Sequence, residues 1–253
     1  QIWKWNADGQ QYEQIPFSYT GDPKSTGNIR WTKDGSFLII SDRVYLRNGD
    51  DFTFAYTAPN INNANLYSIC LTNDNRIIYT EVANKRIRVG RYTTTQFIEL
   101  PDVPNPSWLP AHQDFKPVGL ASSSDDSRLV VTFTGSTVTS RSYAIYAYDG
   151  SNYSLIASDD PVSPALVDSG QCAFSHDDQW VYMATLGVGG HPPYELKVFR
   201  YEDGGLKRVW TQTRPTSNGS FVPPALTPDN KTIIYAGWLY RAGVPYMAHS
   251  YRF

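Results

Sequence analysis

Along the chain, short apolar runs return behind one kind of polar phrase. "FLII" follows "WTKDGS", "RIIYT" overlaps the end of "LTNDNR", "RLVVTF" follows "SSSDDS", "WVYMA" follows "FSHDDQ" and "TIIYAG" follows "LTPDNK". A strand wet on one face alternates apolar with polar residues, whereas unbroken runs of this length belong to strands covered on both faces. The phrase itself is turn chemistry. Asp34, Asp74, Asp125, Asp177 and Asp229 each stand two residues after a Ser or Thr. Aspartate accepts hydrogen bonds from backbone amides two residues on, and Ser or Thr does so more weakly. The residue that follows is Gly35, Asn75, Asp126, Asp178 or Asn230, types that best tolerate a left-handed backbone. The five aspartates are therefore expected to be structural corners.

They recur at intervals of 40, 51, 52 and 52 residues, and self-similarity at such a period marks stacked supersecondary units. Downstream of each of the first four phrases comes a second hairpin: "VYLRNGDDFTF", "IRVGRYTTTQFIEL", "AIYAYDGSNYSLI" and "LKVFRYEDGGLKRVW". Three of the four contain Asn-Gly or Asp-Gly, the strongest short hairpin signal. The pattern predicts an all-β chain, a five-bladed β-propeller of four-stranded antiparallel blades. One domain, 1–253, would hold blades near 28–58, 66–101, 117–158, 170–212 and 221–253, the last completed by 1–18. Closure by N-terminal strands joining the C-terminal blade would leave no open sheet edge between the chain ends. Six blades, one of them partial, is the alternative, because "IWKW" and "PYMAHSYRF" both read as a third strand. Small residues precede most corners (Cys70, Ala121, Ala173, Ala225), as crowding of strands around an axis requires. Arg30 breaks that rule and is expected to face the central channel.

Composition narrows the function. With 41% hydrophobic and 14% aromatic residues the 253-residue chain has material for a core, and a net charge of −2 shows no basic stripe for nucleic acid. No apolar run is long enough to cross a bilayer, and no secretory signal opens the sequence. Gln1 at the start raises the expectation of a longer native polypeptide, with oligomerisation through a region ahead of it. Cys70 and Cys172 fall at different offsets from their corners, which argues against a disulfide. The four histidines have no ligand spacing, so neither metal nor cofactor is expected.

Alternating strand direction places the short turns on one side of a ring and the longer connections on the other. The longer ones carry Trp108 among prolines, His191 and Tyr194 in "LGVGGHPPYE", Arg214 in "TQTRPTSNGSF", and Trp238, Tyr240 and Arg241 in "GWLYRAGVPY". Functional residues concentrate on loops held by a rigid scaffold, and Tyr, Trp and Arg dominate contact energies. These seven are the candidate ligand-binding residues; each taken alone could equally pack against its own loop.

The Ser/Thr-x-Asp-Gly phrase resembles the corner of WD-repeat-like and TolB-like propellers, although no Gly-His opening and no Trp-Asp strand end recur. "VYLRNGDDFTF" and "LTPDNKTIIYAG" are similar in style to propeller repeats of bacteriophage virion proteins, including tail and receptor-binding components. That resemblance implies a virion part that contacts the host surface or other virion proteins. Together with the one-sided loops and their Tyr, Trp and Arg, it makes the leading expectation a non-enzymatic recognition module, extracellular or on the virion surface, binding a host-surface glycan or protein. A structural virion protein docked to neighbouring subunits is the first alternative. A glycosidase is the second, disfavoured because the strands around Ile29, Ile69, Leu120, Ala173 and Ala225 hold no paired carboxylates.

Overall fold

Every regular element among the described residues is a β-strand. The computed structural model describes residues 2–15, 17, 29–40, 42–59, 68–81, 84–109, 116–134, 141–158, 172–184, 194–202, 204–214, 225–226, 232–237 and 247–252. A hairpin of β1 (Ile2–Asn6) and β2 (Gln11–Ile15) comes first. The first four-stranded sheet has the order β3 (Ile29–Trp31), β4 (Phe37–Ile40), β5 (Arg43–Asn48) and β6 (Asp51–Thr57). The second runs β7 (Ile69–Leu71), β8 (Arg76–Glu81), β9 (Arg86–Tyr92), β10 (Phe97–Val103). The third is β11 (Lys116–Ser122), β12 (Arg128–Thr134), β13 (Arg141–Tyr148), β14 (Tyr153–Ser158). The fourth is β15 (Cys172–Phe174), β16 (Trp180–Ala184), β17 (Tyr194–Glu202), β18 (Gly205–Arg214). A three-stranded sheet of β19 (Ala225–Leu226), β20 (Thr232–Gly237) and β21 (Met247–Arg252) completes the set.

Consecutive strands are neighbours in every sheet, so each sheet is a meander built from adjacent hairpins. The chain divides into two compact units. One gathers Gln1–Ala64, Leu71–Ile77 and Gly90–Leu100, and the other gathers Asn65–Cys70, Ile78–Val89 and Pro101–Phe253.

Burial follows the apolar runs. Leu38 and Ile39 on β4, Ile77 and Ile78 on β8, and Leu129, Val130 and Val131 on β12 are buried at consecutive positions, so both faces of these three second strands are covered. Each such side chain contributes roughly 1.5–3 kcal/mol relative to exposure. In the second unit the third and fourth sheets meet face to face through Ala121, Val130, Ile145, Cys172, Val181, Met183 and Phe199. The outermost strands are different: β6 and β14 are largely exposed along their length.

Those outer strands share an irregularity. Val44 pairs with Tyr56 and Tyr45 with Phe54, leaving Ala55 unmatched. Ile156 is passed over in the same way between β13 and β14, and Val209 between β17 and β18. A bulge of this kind kinks the strand and increases its twist. On β9, Gly90 is required by close approach: a Cβ there would lie 1.9 Å from Phe97 Cζ, because the Phe97 ring from β10 lies over the glycine.

Candidate functional site

Four of the five corners lie within the described residues. In the first, Thr32 Oγ1 donates to Asp34 Oδ1 at 2.6 Å and accepts from the Phe37 amide at 3.0 Å. The Ser36 amide and hydroxyl donate to the same carboxylate, at 3.0 and 2.8 Å. Ser123, Asp125 and Ser127 repeat the arrangement, and Ser175, Asp177 and Gln179 do so with the Gln179 amide as donor. The residue after each aspartate has a positive φ: 70° at Gly35, 63° at Asn75, 58° at Asp126 and 57° at Asp178. Burial works to raise the Asp34 pKa, yet hydrogen bonds from Thr32, Ser36 and Asn75 hold it down at about 2. Hydrogen bonds from Ser123 and Ser127 hold Asp125 at about 2 as well. These carboxylates are committed acceptors. Asp229 lies outside the described residues.

Sequence reasoning missed two ties between corners. Asn75 Nδ2 donates to Asp34 Oδ2 at 3.1 Å, joining the first two corners. The Ser124 amide and hydroxyl donate to Asp178 at 2.7 and 2.6 Å, joining the next two. In both, the left-handed residue of the later corner meets the earlier one, so its side chain type mattered beyond backbone tolerance.

Of the loop candidates, Trp108 has a described side chain. It is 8% exposed and stands edge-on to Phe133, with ring centroids 5.2 Å apart; its ring belongs to the core and presents no open face to a ligand. Tyr194 begins β17 and Arg214 ends β18. His191, Trp238, Tyr240 and Arg241 lie outside the described residues. Cys70 and Cys172 are free thiols, and burial pushes the Cys172 thiol upward. Cys70 Sγ lies 3.2 Å from Ser122 Oγ. Among the described residues no group of three or more His, Cys, Asp and Glu could hold a metal ion.

Arg30 is on β3, opposite Ile39 on β4. It is partly buried, and that burial lowers the pKa of its guanidinium while the nearby Tyr92 phenol acts in the opposite direction. The other described arginines of the first unit are all engaged. Arg43 donates to Thr57 and lies over Phe54, while Arg47 donates to the Gly49 carbonyl and lies over Trp31. Arg76 and Arg91 both bind Asp74. Arg30 alone among them has no hydrogen-bond or ion-pair partner within the described residues.

The sheet pattern matches solved structures along most of the chain. A candidate 6-phosphogluconolactonase from Bacteroides uniformis covers 99% of this chain and 78% of its own, at 13% identity and a TM-score of 0.61. The periplasmic gluconolactonase of Pseudomonas aeruginosa covers 81% and 61%, at 16% identity and a TM-score of 0.54. TolB from Acinetobacter baumannii covers 97% and 55%, at 13% identity and a TM-score of 0.50. The fold is a β-propeller. The chain spans 65% and 62% of two further matched structures, from Desulfotomaculum acetoxidans and Lactobacillus plantarum. No protein-family model matches the sequence, and no curated protein does.

The likeness to TolB agrees with the corner phrase. The expectation of a non-enzymatic virion component, whether receptor-binding or structural, is overturned: two of these propellers are named as lactonases and none as a virion protein. The physical reason lies in what the repeats encode. Asp corners and covered strands specify how a blade turns and packs, and propellers of unrelated activity share them.

Proposed function

We propose that the chain is a hydrolase that opens sugar-derived lactones and works outside the cytoplasm. The supporting observation is the match to the candidate 6-phosphogluconolactonase along 99% of the chain. The gluconolactonase named as periplasmic adds support for both activity and place. Opening a lactone requires water to attack the ring carbonyl, and a positioned base to take its proton. Histidine is the side chain whose ordinary pKa suits that task near neutrality, and His191 is the proposed base. Tyr194, Arg214, Trp238, Tyr240 and Arg241 keep a proposed role as contacts to the substrate.

The test is acid release from glucono-δ-lactone at constant pH, corrected for spontaneous ring opening. The expected kcat/KM is at least about 10⁴ M⁻¹s⁻¹, the lower end for ordinary enzymes. His191→Asn should lower kcat by about 10²-fold or more. A rate equal to that of buffer, with the neutral lactone and its 6-phosphate alike, refutes the proposal.

A further inference from the structure

We infer that Arg30 is the binding residue for an oxyanion, the phosphate or carboxylate of a small ligand. Five arginines of the first unit have described side chains, and four of them are fixed by a carboxylate, a hydroxyl, a carbonyl or an aromatic ring. Arg30 is half-buried on β3 near the Tyr92 phenol, with no hydrogen bond, ion pair or ring contact among the described residues. Removing a cation from water without a partner is unfavourable, so its retention needs a compensating group. Its place on the sheet is suited to one: β3 is an edge strand and the first of its sheet, and in a propeller one edge strand of each blade borders the central channel. A guanidinium offers a planar pair of N–H donors that matches two oxygens of one phosphate or carboxylate. The flanking residues leave that role to Arg30, since Trp31 is taken up by Phe52 and Arg47 and Thr32 by its corner.

The anion site stands on these observations alone; only the choice of substrate, an acidic sugar lactone, rests on the lactonase reading. The experiment titrates the wild-type chain, Arg30→Met and Arg30→Lys with inorganic phosphate, gluconate and 6-phosphogluconate, by calorimetry. It also compares turnover of gluconolactone with that of its 6-phosphate. Wild type should bind 6-phosphogluconate, Arg30→Met about 10- to 100-fold more weakly, and Arg30→Lys between the two. Gluconate as the tighter ligand would assign the site to a carboxylate, and 6-phosphogluconate to a phosphate. The melting temperature of Arg30→Met should equal or exceed that of wild type, because an apolar side chain replaces a half-buried cation with no ion-pair partner among the described residues. Unchanged binding in Arg30→Met overturns the inference. So does a marked fall in its melting temperature, which would make Arg30 a structural residue. Anion binding through Arg30 without turnover of either lactone keeps this site and removes the lactonase reading. Equal turnover of both lactones, untouched by Arg30→Met, does the reverse.

Discussion

The first and second corners solve the same problem with different parts. From Thr32 to Phe37 the corner has a serine after its left-handed glycine, and that Ser36 supplies two donors to Asp34. The second corner is one residue shorter. The Thr72 amide bonds to the Arg76 carbonyl, and no residue stands between Asn75 and the strand that follows. The missing donors come from a side chain: Arg76 Nε reaches both Asp74 oxygens, at 2.7 and 2.9 Å. Arg91 adds a bond of 2.9 Å to the same carboxylate. Arg76 is 2% exposed, an uncommon burial for an arginine. The carboxylate, then, is the constant of the corner, and the chain supplies its donors from backbone and hydroxyl or from a charged side chain.

The difference sets an order of sensitivity. Arg76→Met should be the most damaging change, about 1.5–3 kcal/mol, because it removes both bonds of a buried guanidinium to Asp74, a carboxylate that is itself 43% exposed. Chemical denaturation would show it, and a loss under 1 kcal/mol would mean that Arg91 alone suffices. Asp125→Asn, in a full-length corner, should cost about 1–2 kcal/mol, since an amide oxygen still accepts but carries no charge.

That variant also has a pH signature. Asp34 and Asp125 titrate at about 2 in the folded protein against an ordinary 3.8. The unfolded chain therefore binds more protons between these values, so their stabilisation is complete above about pH 4 and fades as pH falls through 2. Asp125→Asn should flatten the acid limb of a stability–pH curve in that window; an unchanged limb would break the argument. Ser124→Ala should cost least, about 0.5–1 kcal/mol, because the backbone amide keeps its bond to Asp178. Melting curves resolve that as a shift of a few degrees at most.

The sheets were legible in the sequence because their signals are local. Apolar runs such as "RLVVTF" mark a doubly covered strand, and a residue such as Asn75 or Asp126 after an aspartate marks a left-handed turn. Contacts far apart in sequence were not legible. Nothing in "SSSDDS" says that Ser124 will meet Asp178, 54 residues away. Arg76 had a signal, the shortened phrase "TNDNR", but its meaning depends on knowing which donor has been lost. Trp108 stood in a proline-rich stretch that reads as a rigid display loop, yet its indole settles against Phe133. Activity was least legible: corners and runs describe a scaffold, and the scaffold serves many chemistries.

The kinks at Ala55, Ile156 and Val209 have a consequence for how these molecules behave when crowded. A strand arriving from another copy could match amide to carbonyl on one side of the kink, only to fall out of step on the other. Pairing that halts after a few residues cannot lengthen into a ladder. The kinked rims of these three sheets thus refuse recruitment, and concentrated solutions of the protein should resist growth into fibres through them.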